Sequence, residues 1–157
     1  MSGFCHLHVH TQYSLLDGAA RIKDLMARAK EMGMTHIAMT DPGVMYGTVE
    51  FYKEAKAAGI TPVLGCEVYV AKQNMHDRQG RADREYSHLV LLAENQKGYQ
   101  NLVHLVSLGW LEGYYYKPRI DYDTLAQYSE GLIGLSACLS GDIPRLLMQG
   151  DYQGAKQ

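Results

Sequence analysis

Cysteine is scarce in this chain of 157 residues: Cys5, Cys66 and Cys138 are odd in number and far apart. That pattern excludes a disulfide framework and suits free thiols in a reducing compartment. Proline is nearly as rare, at 4 residues, and with 46% hydrophobic and 20% charged residues the composition excludes a disordered chain. No apolar run approaches the roughly 18 residues that a membrane span needs, and the opening Met1-Ser2-Gly3-Phe4-Cys5-His6 lacks a basic-then-apolar signal pattern. A cytoplasmic location without a membrane partner is expected. Charge of one sign is also missing: 15 basic against 17 acidic residues leave a formal charge of -2. This excludes a surface that holds nucleic acid by phosphate neutralisation alone. A phosphate ligand would need a metal.

The length fits about one domain, 1–157, on a scale of roughly 100 to 200 residues each. Along it, short β-rich runs alternate with helical patterns. A strand is expected over residues 4–9, a helix over 21–32, a strand over 36–39, a helix over 49–58 and a strand over 61–70. In the first helix Ile22, Leu25, Met26, Ala29 and Met32 fall at helical spacing before Gly33. Residues 71–87 are polar with no apolar periodicity, so no helix is expected there. The strand before them should return as an antiparallel hairpin into 88–92. Helices are then predicted over 99–111, 123–128 and 141–148, with another opened by Asp151. A Tyr-rich loop around Lys117-Pro118-Arg119 and a strand over 132–136 lie between them. Strands mixed with crossover helices indicate an α/β layer fold or an incomplete barrel.

The chemistry concentrates in Cys5-His6-Leu7-His8-Val9-His10-Thr11. Side chains on a strand repeat every two residues, so His8 and His10 project together near the strand's C-terminal end, where α/β sites form. On its own, His-x-His equally describes a solvated strand face. Four further residues are candidate companions: Asp17, Glu67, His88 and Cys138, all donors suited to zinc, manganese or iron. Asp17 before Gly18 also reads as a turn residue. Glu67 interrupts an apolar strand, where a carboxylate is costly unless paired or metal-bound. A hairpin turning between Asp77 and Arg78 would put His88 opposite Glu67. Cys138 follows its strand by two residues, although buried free cysteines are common. His36, His76 and His104 read as structural.

These segments resemble the PHP (polymerase and histidinol phosphatase) domain, in the branch found at the N-terminus of the bacterial replicative DNA polymerase III alpha subunit. The matching stretches are His6-Leu7-His8-Val9-His10-Thr11, Tyr13-Ser14-Leu15-Leu16-Asp17-Gly18, Gly65-Cys66-Glu67-Val68-Tyr69-Val70, His88 to Ala93, Gly98-Tyr99-Gln100-Asn101-Leu102 and Leu135-Ser136-Ala137-Cys138. The resemblance implies the N-terminal portion of a distorted (β/α)7 barrel whose mouth holds up to three metal ions. In some members this centre acts as a 3'-5' exonuclease. It places His8, His10, Asp17, Glu67, His88 and Cys138 at metal-ligand positions for zinc or manganese, with Glu67 and His10 in catalytic roles. Two departures are visible. Thr40-Asp41 is followed by Pro42 where metal-binding members carry a histidine, and the family's final Asp-x-His is absent.

Reduced metal occupancy and little nuclease activity are therefore expected, in a segment that braces a DNA-directed DNA polymerase. Its expected partners are DNA through the parent chain, the other domains of the alpha subunit and a proofreading exonuclease. The alternatives are an active metal-dependent phosphoesterase and a free-standing histidinol-phosphatase-like enzyme.

Overall fold

A computed structural model of the chain describes residues 3–157. Two helices open the regular structure. Helix α1 (Ile22–Glu31) buries Ile22, Met26 and Ala29 on one face, and its last turn carries Arg28 and Lys30, which suit the negative end of the helix dipole. After strand β1 (His36–Met39), helix α2 (Thr48–Ala58) buries Thr48, Phe51 and Ala55 and stops at Gly59, whose φ of 76° is left-handed. These elements enclose one core of Ile22, Met26, Ala29, Ile37, Met39, Phe51, Ala55 and Ile60.

The spine of the molecule is strand β2 (Thr61–Ala71), buried continuously from Gly65 onward. It returns as an antiparallel hairpin into β3 (Tyr86–Ala93), as the missing crossover helix requires. Helix α3 (Gln96–Leu111) follows, capped by the Asn95 side chain, which accepts from the Gly98 amide at 3.0 Å. Alternation along β2 divides its residues. Cys66, Val68 and Val70 pack with Leu91, Leu102, Leu105 and Ile120 in a second core against α3, so Glu67 and Tyr69 face the other side.

Strand β2 changes partners on one edge. Its first half pairs in parallel with β1, from Thr61 to Leu64; its last residues, Tyr69 and Val70, pair in parallel with β5 (Lys117–Ile120). Strand β6 (Leu132–Leu135) runs antiparallel to β3, giving the order β4-β5-β2-β3-β6 once the short β4 (Tyr114–Tyr115) is included. Helices α4 (Tyr122–Gln127), α5 (Asp142–Met148) and α6 (Tyr152–Lys156) bury no residue fully.

Four details depart from the sequence reading. Residues 4–9 form no regular strand. They run beside β1, where the amides of Ala38 and Thr40 donate to His6 O and Val9 O at 2.9 and 2.8 Å. The two donors are thus two positions apart while their acceptors are three apart, and the Val9 amide turns to the Thr40 hydroxyl at 2.7 Å. The β2–β3 register pairs Glu67 with Val90 and Tyr69 with His88. This differs by two residues from the predicted pairing, and an even shift leaves His88 and Glu67 on one face. The polar connection contains a single 3-10 turn, Ala82–Arg84.

The Tyr-rich loop is a tight hairpin, β4 to β5, turning at Tyr116 with φ 62°. What holds it is Arg119, 1% exposed. Its guanidinium donates to the carbonyls of Met75 and Asp77 at 2.9 Å each, to Gly113 O at 3.2 Å and to Asp83 O. One cation therefore pins both the hairpin and the 72–85 connection. Replacing it by leucine strands buried carbonyls, each costing about 1–3 kcal/mol. Arg119→Leu is expected to lower stability by about 3 kcal/mol or more in urea denaturation, and to open the 72–85 connection to proteolysis before the rest of the chain.

Candidate metal centre

The centre is built outward from the end of β1. Asp41 is completely buried and accepts from the Thr11 amide at 2.6 Å, the Thr11 hydroxyl at 2.7 Å and the Ser14 hydroxyl. This carboxylate ties down the turn that follows the histidines. The next residues clasp β2 from the side: the Glu67 amide donates to Asp41 O at 3.2 Å and the Gly43 amide donates to Glu67 O at 2.8 Å. Pro42, the residue opposite Glu67 in this bridge, needs no amide of its own in that pattern, so proline costs the clasp nothing. Gly43 has φ 68°, and a Cβ there would lie 2.8 Å from the Tyr69 ring.

Glu67 is thereby fixed with its side chain 3% exposed. One carboxylate oxygen, Oε2, meets His8 Nε2 and, at 2.8 Å, His10 Nε2. The other, Oε1, meets His88 Nδ1. Cys138 Sγ lies 3.6 Å from the same imidazole nitrogen and accepts from the Ser140 amide at 3.4 Å. It is presented by Ala137, a non-glycine residue at φ 60°. Aromatic rings orient His88: Tyr86 stacks on it at 5.7 Å and Tyr69 meets it edge-on at 5.3 Å.

Two donor groups result, His8–His10–Glu67 and Glu67–His88–Cys138, each with ligand atoms within 4.8 Å of one another. Glu67 is common to both. Five of the six residues singled out from the sequence thus converge. Asp17 stands apart on an exposed turn outside both groups, within electrostatic reach of His10. His36, His76 and His104 lie elsewhere, bonded to Thr35, near Glu112 and packed on Tyr128 respectively. Asp41 escaped the sequence reading as an organising residue. Its signal was an acid at the end of the apolar strand 36–39, weaker than the acid inside a strand that singled out Glu67.

Burial opposes ionisation of Glu67, but hydrogen bonds from His10, His8 and His88 outweigh it and hold the carboxyl well below its ordinary 4.5. The reciprocal bond to Glu67, partly offset by burial, raises His10 above its ordinary 6.5. Burial pushes the Cys66 thiol up to about 12, so it stays protonated behind the centre.

The signs of the two shifts set a pH window. The stabilisation from Glu67 is complete above 4.5 and lost as pH falls through its lower folded value. That from His10 is complete below 6.5 and lost as pH rises through its higher folded value. Metal-free protein is expected to melt highest between those limits and lower toward alkaline pH. Added metal, which needs neutral imidazole, is expected to stabilise increasingly over the same rise. Calorimetric melting across pH, with and without zinc, checks both slopes.

The PHP domain family profile matches residues 6–157. The chain belongs to the PHP domain family. Over nearly its whole length it is also similar to DNA polymerase III subunit alpha. Identity is 53% with the protein of Borreliella burgdorferi (99% of this chain, 14% of the relative) and 48% with that of Treponema pallidum (98% and 13%). With that of Thermus aquaticus it is 51% (93% and 12%). This PHP chain therefore spans about an eighth of the length of these relatives.

Among solved structures, a presumed metal-dependent phosphoesterase from Bifidobacterium adolescentis superposes with a TM-score of 0.50 at 17% identity, covering 99% of this chain and 54% of that one. That likeness supports the α/β PHP fold. Among the described residues no helix is long and apolar enough to cross a membrane.

Proposed function

We propose that this PHP chain is the N-terminal domain of a replicative DNA polymerase III alpha subunit, holding one or two metal ions on Glu67. The single observation behind this reading is that the two oxygens of one buried carboxylate each face a separate set of donors. Nitrogen, oxygen and sulfur donors together suit zinc, with manganese the alternative on the His8–His10–Glu67 side. Bound there, an ion supplies Lewis acidity toward a phosphate ester and a water molecule.

The chain's own residues do the rest. Glu67 positions both donor sets, His10 is the imidazole whose protonated form the bond to Glu67 favours when no ion competes, and Asp17 stands on the turn beside the centre as a completing carboxylate. Pro42 withholds one ligand that metal-binding relatives of this pattern supply, so hydrolysis of DNA is slow and the domain's main work is to brace the polymerase. Docking of a separate proofreading exonuclease belongs to the same reading. So does continuation of the barrel past β6, whose Ile133 is 49% exposed, and past α5 and α6, where Leu147, Met148 and Tyr152 face solvent.

Elemental analysis of the purified chain, paired with nucleotide release from end-labelled single-stranded DNA, tests the proposal. One to two zinc or manganese ions per chain with slow release are expected. The double variant His8→Ala, His10→Ala should lower occupancy at least tenfold. Two tightly held ions with rapid release would establish the active phosphoesterase instead, and unchanged metal content in the double variant would remove the histidines from the ligand set.

A further inference from the structure

Beside the metal centre lies a groove of about 340 Å³ between the turn 13–17, residues 42–46 and the β4–β5 hairpin. Its volume is at the small end of ligand sites, which run from about 300 Å³ upward. Its walls are unusually aromatic. Tyr46, Trp110, Tyr114 and Tyr116 are 64%, 42%, 48% and 56% exposed, yet they converge on this one hollow together with Tyr69 and Lys117. Scattered aromatic residues on a surface need no explanation; a convergent set beside a donor cluster does.

The rings are held in place before anything binds. Trp110 and Tyr114 are stacked at 5.5 Å with planes 19° apart, and the Trp110 indole N–H donates to Gly43 O at 2.8 Å. That bond links the stack to the clasp on Glu67. Tyr116 is fixed at the hairpin tip under the Arg84 guanidinium, 4.3 Å from its ring centre. Lys117 Nζ stands 5.2 Å from the centre of the Tyr69 ring.

Tyr69 is the partition between groove and centre: one side lines the hollow, and its edge meets His88 at 5.3 Å. A flat ring that extends the Trp110–Tyr114 stack would lie in a hollow that shares the Tyr69 wall with the donor groups of Glu67. Lys117 supplies the cation for an anionic linker.

We propose that this groove stacks an unpaired nucleobase of single-stranded DNA while the adjoining phosphate lies at the Glu67 centre. The inference rests on the metal-centre reading for the phosphate half only; the stacking half depends on the aromatic walls alone. Stacking is tolerant of sequence because every base has a π face. The proposal accounts for both halves of a nucleotide, which a peptide occupant would not.

Trp110 is the single tryptophan of the chain, so it reports the event directly. Titration of the full chain with a short oligothymidylate is expected to quench its fluorescence. An abasic oligomer of equal length and charge should bind at least fivefold more weakly. Tyr114→Ala and Tyr46→Leu, both at exposed positions and checked for folding by circular dichroism, should each weaken oligothymidylate by a similar factor and leave the abasic oligomer unchanged. Equal affinity for the two oligomers, or parent-like binding by both variants, overturns the groove. Equal or tighter binding of oligouridylate overturns the assignment to DNA.

Repeating the titration in chelator separates the two proposals. A base-dependent difference that survives in chelator, for a chain that holds no ion by elemental analysis as purified and before chelator is added, supports the groove and removes the metal centre. Firm metal content with no base-dependent difference does the reverse.

Discussion

A carboxylate withdrawn from water must find partners or give up its charge, and Glu67 finds three imidazoles. Everything that shapes the centre can be traced to how those partners are brought to it. Strand β2 carries the acid with its side chain away from the α3 core, β3 brings His88 along a diagonal of the hairpin, and the opening segment is laid across by the Thr11–Asp41 anchor. Removing water from the acid strengthens each contact, and the contacts keep the acid ionised. The arrangement is self-consistent only when all three elements are present together.

Much of this could be read in the residues, because period-two alternation and donor chemistry are local properties. Val63 to Val70 announced a buried strand, and a lone acid inside it announced a partner. The hairpin was legible from the absence of helical spacing between Ala71 and Ser87. Its register was legible only in parity: the two-residue difference did not matter because an even slip preserves the face. The opening segment shows the limit of alternation as evidence. His8 and His10 do share a target, but through an irregular stretch in which the Thr40 hydroxyl replaces a ladder contact.

Other features were illegible for reasons that are equally physical. Arg119 sits in a run, Lys117-Pro118-Arg119, that the sequence places only in a Tyr-rich loop. Its burial depends on carbonyls from a connection more than 30 residues upstream, and no local pattern reports so distant a match. Asp41 shows locally only an acid at the end of an apolar strand, because its partners Thr11 and Ser14 lie 30 and 27 residues upstream. The structure makes Asp41 and Pro42 complementary: the acid orders the histidine turn, and the proline sits where its lack of an amide is harmless.

The division of Glu67's two oxygens also has a consequence for the order in which the chain is made. His8, His10 and Glu67 all lie in the first half of the polypeptide, whereas Cys138 emerges from the ribosome some seventy residues after Glu67. At synthesis rates of about 5–20 residues per second, one half of the centre exists for several seconds before the other has been translated. A nascent chain therefore carries the His8, His10 and Glu67 donors before the thiol of the second donor group has been made.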